Sequence, residues 1–556
     1  MRLNAEWLPA DGITLEPNAL AAVREQKSNV VVTAGPGAGK SELLAQRADF
    51  LLRTGECPYP RRILAIAFKV DAASNIRERV RRRCGEDLAA RFDSYTFHAF
   101  AKRIVDNYRI LLVGKDALDA DYTIDAKQRI QRRQITYNDL VDLAIQIVQT
   151  SRHARIAIRQ TYTHVFLDEF QDATGPQYRL LKEIFLGSPV LMTAVGDTKQ
   201  RIMTFAGALE GIMEKFAVDF NAERLTLYQN FRSAPVLRRM QNRMVQVIEP
   251  AAAVPFENLL GADGFIRVLP FDSPSEEART VADQILGWLK DGTGPGDIAV
   301  IVRQEPHFVC ADLMAELLKR GIPSRNEQVH QDLLAEPVGR VLISLMQVLA
   351  GLRNPAAYDR ILSVATMSAR TEEAALRNAR AMNRFVMRAQ RKVGPGSPVR
   401  SDPAAWRSVV AGFIELITMP VLAGLSPNYL HGPRLGQIIE QVMDAFENEL
   451  SLDGDPLNVV RRLSDEDAIR ILTIHKSKGL EFEKVVVLGV EEELFWSTNK
   501  SLNRAEFFVA ISRAKEGLVL TYSRCRSRPE GLSRRWDVQR NAYQEFLGYA
   551  VESESF

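Results

Sequence analysis

The chain has 556 residues, 46% hydrophobic and 25% charged, and its 72 Lys and Arg against 69 Asp and Glu leave a formal charge of +3. That length exceeds what one core supports, so several domains are expected. The near balance of charge excludes a polycation, and any nucleic-acid binding has to rest on local patches.

The four cysteines, Cys57, Cys84, Cys310 and Cys525, form no CxxC pair. This argues against a zinc site or a disulfide framework and fits a reducing, cytoplasmic location. The opening MRLNAEWLPADG lacks an apolar leader core, and no stretch reaches the ~18 uninterrupted apolar residues of a membrane span. No membrane partner is expected.

In chain order, a lead-in helix is predicted over Pro17 to Arg24. A β-branched run then opens VVVTAGPGAGKSELL, Val30 to Leu44, and breaks into Ala34-Gly35-Pro36-Gly37-Ala38-Gly39 before Lys40, Ser41 and a leucine-rich helical pattern. Small residues let successive backbone N–H groups turn inward around phosphate oxygens, and the helix N-terminus adds its positive end. Lys40 would reach the β- and γ-phosphates of a nucleotide, and Ser41 would ligate Mg²⁺. Ala34 stands where the strict pattern has Gly, a small change in size.

Arg61 to Phe68, RRILAIAF, reads as a second buried strand. Ala72 to Arg83 has helical spacing and carries Arg77, Arg79, Arg81, Arg82 and Arg83, for which a solvated face and phosphate contact are both open. A short strand over Ser94 to Phe97 leads into TFHAF. Residues 107–133 are polar and weakly patterned and read as a small insertion. A helix follows over Tyr137 to Val148, then strands ending in HVFLDEFQDA, from His164, and in PVLMTAVGD at Asp197. Strands alternating with helices imply a parallel α/β domain with its ligand at the strand C-terminal ends.

Asp168 and Glu169 end such a strand, where Asp168 would hold Mg²⁺ and Glu169 would orient or deprotonate the attacking water. Gln200, in VGDTKQRIMTFAGA, is either a γ-phosphate sensor or an exposed loop glutamine. Arg232, in YQNFRSAP, and Arg513, in FFVAISRAKEGL, are candidate arginine fingers among many surface arginines.

A second α/β series opens near Gly264 with FIRVLP, a helix over Glu276 to Leu289 and a strand over Asp297 to Arg303. From about Gln331 to Asp465 the pattern is helical, broken by a loop from Gly394 to Pro403. Strands return at IRILTI, VVVLGV and LVLTYS, ending at Tyr522. The tail from Arg524, basic and then acidic, is expected to be only partly ordered.

In sequence, AGPGAGKS, AIAFKVDAA, YTFHAF, VFLDEFQDA, VGDTKQRIMTFAGA, LYQNFRSAP, ILTIHKSKGLEFEKVVV and FFVAISRAK closely resemble the motifs of UvrD/Rep-type superfamily 1 DNA helicases, over about residues 15 to 522. The resemblance implies an α/β fold of two RecA-like P-loop NTPase domains with parallel sheets, each interrupted by a helical insertion. Residues 1–106 with 134–240 would form the first, with 107–133 inserted. Residues 241–330 with 466–523 would form the second, with 331–465 inserted and 524–556 as a C-terminal tail.

It further implies a Mg²⁺- and ATP-dependent motor on single-stranded or tailed duplex DNA, moving 3′ to 5′, with ATP in a cleft between the domains. Phe231 would stack on the base, Glu481 would approach the ribose, and Gly479 would let the backbone come close. Phe68, Thr96, His98, Phe205, Thr473 and His475 would meet the strand. Core packing stays open for the two phenylalanines, and structural roles for the two histidines.

Departures from the family pattern carry their own expectations. Ala19 and Glu42 stand where the family has an adenine-reading glutamine and arginine, so looser discrimination among nucleoside triphosphates is expected. Val70 and Asp71 replace a polar and a cationic residue on the DNA side, and Met203 replaces a stacking tyrosine. Both insertions are shorter than in the large members, so translocation is expected to survive better than processive strand separation. The competing reading is an ATP-gated DNA-binding subunit that controls a partner such as a nuclease. No room is expected after Tyr522 for the nuclease domain of some relatives. Motors of this kind serve DNA repair, replication and phage defence.

Overall fold

The computed structural model describes residues 7–551 apart from 69, 126–127, 203–206, 328–332, 335, 370, 427–428, 430–432, 465–466 and 533–535. The chain forms two compact units, Met1–Phe265 with Ser497–Glu516 and Ile266–Trp496 with Gly517–Ser555.

The first unit contributes strands β1 (Val30–Ala34), β2 (Arg62–Ala67), β3 (Phe92–Thr96), β4 (Leu118–Asp125), β5 (Arg132–Thr136), β6 (Tyr162–Leu167), β7 (Leu191–Gly196) and β8 (Glu223–Leu227). Six of them form one sheet in the order β3-β2-β6-β7-β1-β8, and neighbours run parallel throughout. The valine run of β1 is buried on both faces, as a parallel sheet requires. Val30 and Val32 pack with Leu43, Leu44, Ala48 and Leu51 of the helix Lys40–Arg53. Val31 faces the other layer, with Ile66, Val165, Leu167 and Phe170. The lead-in helix Pro17–Arg24 forms as predicted. Arg47, fully buried on the Lys40–Arg53 helix, donates to the carbonyls of Ala22 and Val23, two of the groups a helix end leaves unpaired.

The first insertion departs from the expected helical form. Its described residues hold two short 3-10 turns and the two-stranded sheet β4-β5. Tyr122 on β4 is buried, as is Ile135 on β5, which runs past the expected end of the insertion at residue 133, while Asp121 and Arg133 are exposed, the alternation a strand sets up.

The second sheet takes β9 (Phe265–Phe271), β10 (Ile298–Val302), β11 (Ser324–Asn326), β12 (Ile469–Thr473), β13 (Phe482–Val487) and β14 (Ala514–Ser523) in the order β11-β12-β10-β13-β14-β9. The second insertion is helical as expected, with helices Pro337–Ala350, Glu372–Val393, Pro403–Ile417 and Arg434–Asp453 around a core that includes Trp406, Phe413 and Phe446.

The C-terminal segment differs from the loose tail expected of its composition. Arg526 is buried between Glu277 and Glu491, and the helix Gln544–Val551 buries Phe546 and Leu547. One buried ion cluster and a few apolar side chains suffice to dock a segment whose average composition is polar. Among the described residues, no helix is long and apolar enough to cross a membrane.

Candidate active site and nucleic-acid interface

The glycine loop sits between β1 and the helix Lys40–Arg53, with Gly37 and Gly39 at φ 70° and 77°. That left-handed backbone turns N–H groups inward at little cost only for glycine. At Gly37 space adds a second reason. A Cβ there would lie 2.6 Å from Cβ of Arg232 and closer still to Oδ1 of Asn230. The Phe231 N–H donates to the Gly37 carbonyl at 3.0 Å, so the loop and the segment carrying Phe231 and Arg232 are hydrogen-bonded neighbours.

Lys40 is largely buried, its Nζ 3.5 Å from the Gly35 carbonyl and 4.0 Å from Oε1 of Glu169. Asp168 follows β6 and is 4% exposed. Burial first, and then the like charge of Glu169, push its carboxyl up to about 7 against the pull of Lys40. Glu169 has φ 49°, a left-handed conformation that a non-glycine residue adopts at a cost and that concentrates at functional sites. Ser41, half-buried in the first helical turn, and Asp168 are a hydroxyl and an under-compensated carboxylate. This oxygen donor set fits Mg²⁺ shared with phosphates. Among the described residues no group of three or more His, Cys, Asp or Glu could hold a metal by itself.

From Glu169 a line of hydrogen bonds crosses the unit. Gln171 Nε2 donates to Glu169 Oε2 at 2.5 Å, and its Oε1 accepts from the Asp197 N–H at 3.0 Å. Gln200 Nε2 donates to Asp197 Oδ2 at 2.7 Å, and Arg513 Nη2 donates to Gln200 Oε1 at 2.7 Å. Arg232 Nη1 reaches the carbonyl of Ser512 at 3.2 Å. Gln200 is thus a buried residue at 3% exposure rather than a loop glutamine in solvent, and Arg513, at 1%, is no surface arginine.

Sequence reading missed three members of this arrangement. Asp197, fully buried, accepts from Gln200 and pairs with Lys199 at 3.3 Å. Asn230 accepts from the N–H groups of Arg232 and Ser233. Glu16 accepts from those of Tyr228 and Gln229. The strand-terminal position of Asp197 was a usable signal, whereas Asn230 and Glu16 had none.

On the expected base side, Phe231 is 65% exposed and Ala19 is buried. Glu42 is engaged elsewhere: it accepts from Arg79 at 3.0 Å, from Arg83 Nε at 2.8 Å and from Gln46 at 2.8 Å. The arginine-rich helix is a largely exposed face, part of whose charge is spent on neighbours. Arg77 donates to the Ser94 carbonyl and Arg81 pairs with Glu78 and Glu86.

The candidate DNA contacts divide between the units with matching local geometry. Thr96 ends β3 and caps the helix Phe97–Tyr108, its hydroxyl accepting from the Ala99 N–H at 3.2 Å. Thr473 ends β12 and accepts from the Lys476 N–H at the same distance. Each is followed two residues on by a half-buried histidine, His98 and His475. Burial pulls the His98 imidazole below its ordinary value, so it is neutral at pH 7. The Tyr137 ring, 43% exposed, packs edge-on against it at 6.0 Å, an aromatic neighbour the sequence did not single out. Phe68 is half-buried just past β2, and Gly479 (φ 89°) and Glu481 are exposed before β13. Phe205 and Met203 lie outside the described residues, as does Lys69.

Comparison with known families places two matches on the chain. The UvrD/REP helicase N-terminal domain matches residues 15–135 and 117–221, and the UvrD-like helicase C-terminal domain matches residues 435–525. DNA helicase II of Escherichia coli (strain K12) is 24% identical over 613 residues, spanning 91% of this chain and 84% of its own length. The ATP-dependent DNA helicase UvrD1 of Mycobacterium tuberculosis is 24% identical over 663 residues, spanning 93% and 84%.

Proposed function

The chain belongs to the UvrD/Rep family of helicases, and from that premise we propose an ATP-hydrolysing DNA helicase that moves 3′ to 5′ along single-stranded DNA. The observation that carries this reading is the hydrogen-bonded line from Glu169, beside Lys40, through Gln171, Asp197 and Gln200 to Arg513. It joins a phosphate-binding lysine, a carboxylate able to take a proton from water, a polar sensor and a buried arginine. That is the set phosphoryl transfer to water needs. The relatives' names support ATP and DNA as what it acts with.

In this reading Lys40 and the loop N–H groups bind the β- and γ-phosphates, and Glu169 orients and deprotonates the attacking water. Arg513 and Arg232 spread the charge that develops on the transferring phosphoryl group. Gln200 registers the γ-phosphate through its bonds to Asp197 and Arg513. Ser41 and Asp168 would hold Mg²⁺, which when bound neutralises phosphate charge. Phe68, Thr96, His98, Phe205, Thr473 and His475 are the proposed strand contacts, and the protein works in the cytoplasm.

Lys40→Ala is expected to abolish ATP hydrolysis stimulated by single-stranded DNA, and intact hydrolysis would refute the assignment. Strand displacement should occur on 3′-tailed and not on 5′-tailed duplexes. ATPase without displacement would instead indicate an ATP-gated regulatory subunit with a partner such as a nuclease. With Ala19 buried and Glu42 tied to Arg79 and Arg83, neither side chain is placed to read a base edge. We therefore expect kcat/KM for GTP within about tenfold of that for ATP, a single 1.4 kcal/mol step; a preference well beyond that would count against a loosely held base.

A further inference from the structure

Glu16 immediately precedes the helix Pro17–Arg24 and is 9% exposed. A polar residue at that place ordinarily turns a short side chain back onto the first helical N–H groups. Glu16 makes no such bond. Its carboxylate instead meets a segment 212 residues further along, Oε1 accepting from the Tyr228 N–H at 3.3 Å and Oε2 from the Gln229 N–H at 3.2 Å. β8 ends one residue earlier, at Leu227. Successive residues of a strand face opposite ways, so two neighbouring N–H groups that share one carboxylate mark the place where the chain turns out of the sheet. A carboxylate suits that task because it only accepts and has an oxygen for each N–H. Asn18 adds a third tie between the same two segments, its Nδ2 donating to the Thr226 carbonyl at 2.8 Å.

Beyond the turn comes the segment that carries Phe231 and Arg232. Downstream it is braced by Asn230, which accepts from the Arg232 and Ser233 N–H groups and donates to Gln241 at 3.1 Å. The bond from the Phe231 N–H to Gly37 sets it against the glycine loop. Glu16 supplies the hold on the upstream side. The Phe231 ring is 65% exposed, so its direction is set by this backbone and not by packing around the ring. Ala19 is buried and Glu42 is bonded to Arg79 and Arg83, which leaves Phe231, of the side chains expected at the base, as the one open to it.

We propose that Glu16 is a positioning residue for the nucleotide: its carboxylate fixes the backbone ahead of Phe231, so that the ring is presented to a nucleobase of any kind. A helix-start residue that gives up its own cap to bond another segment breaks a local rule, as residues serving a site do. The proposal rests on the ATPase reading and adds to it how a base is held without its edge being read.

The test uses the full chain and its variants Glu16→Ala, Glu16→Gln and Phe231→Ala, with each Glu16 change also combined with Phe231→Ala. Calorimetry gives the dissociation constants of ADP, GDP and inorganic tripolyphosphate. Phe231→Ala should weaken ADP by about tenfold or more, the worth of one stacked base. Glu16→Ala should weaken ADP and GDP alike by about five- to tenfold, and Glu16→Gln, which keeps one acceptor oxygen, by less. Tripolyphosphate has no base and should bind all of them as it binds the parent. In the Phe231→Ala background either Glu16 change should cost less than about a further twofold, because a residue that acts through Phe231 has nothing left to position. Losses that multiply in the double variants, losses that are equal with tripolyphosphate, or unchanged ADP binding in the single variants would each overturn the proposal while leaving the ATPase reading standing. If Glu16→Ala fails to fold, Glu16→Gln decides by the same comparisons. A parent chain that binds neither ADP nor tripolyphosphate would overturn both.

Discussion

Asp168 in the first unit and Glu277 with Glu491 in the second are all carboxylates taken out of water, and the chain compensates them differently. Asp168 has Glu169 beside it and Lys40 as the cation acting on it, and its carboxyl is pushed up to about 7. Glu277 and Glu491 share Arg526, whose Nη2 lies 2.7 Å from the first and 2.8 Å from the second, and Thr521 donates to Glu277 at 2.5 Å. Arg540, 3.8 Å from Glu491, brings a second arginine to the pair of glutamates, and although burial still pushes the Glu277 carboxyl up, the second cluster fastens the C-terminal segment to its unit. The first is left short of positive charge at a strand end beside a phosphate loop. A buried acid with its own arginine holds structure, whereas one without it is poised for a ligand.

The sharpest way to test that contrast is at the buried arginines. Arg513→Ala should lower kcat for DNA-stimulated ATP hydrolysis by about 10³-fold or more, as loss of an arginine finger does. A fall under tenfold would make Arg513 a packing residue like Arg526. Arg526→Met, in contrast, should act on stability. Stranding Glu277 without its cation, and leaving Glu491 only Arg540 at 3.8 Å, should cost about 3–5 kcal/mol in chemical denaturation of the second unit. Changing both glutamates to Gln in the same background should restore most of it.

The smallest effect has the opposite sign. An unfolded aspartate ionises near pH 4, while Asp168 in the folded chain holds its proton to about pH 7. Between those values the folded state binds the extra proton, so stability of the nucleotide-free protein falls as pH rises through this window and levels off above it. Asp168→Asn should remove that fall and raise stability at pH 8 by roughly 1–2 kcal/mol while abolishing hydrolysis. A lower Tm at pH 8 would show that Lys40 compensates Asp168 fully.

Much of this was legible from residues alone, because the relevant signals are local. The β-branched run, the glycines and the Lys-Ser pair of Val30 to Leu44 lie within one turn of chain, and the loop forms as read. The alternation of strand and helix also gave the two parallel sheets, and the apolar spacing after Gln331 gave the helical insertion. Composition misled where average polarity hid a few decisive side chains. Tyr122 lies on a strand of the first insertion that pairs with a second strand running past its expected end, and Arg526 and Phe546 docked the C-terminal segment.

What the tertiary structure decided was pairing at a distance. Gln200 and Arg513 are 313 residues apart and share a hydrogen bond, and no window of sequence contains both. Glu42 resembled a missing base contact until Arg79 and Arg83 came to it from the following helix. Backbone preference acts over a few residues and is written in order along the chain. Compensation of buried charge depends on which segments the fold brings together, and the chain path alone supplies that.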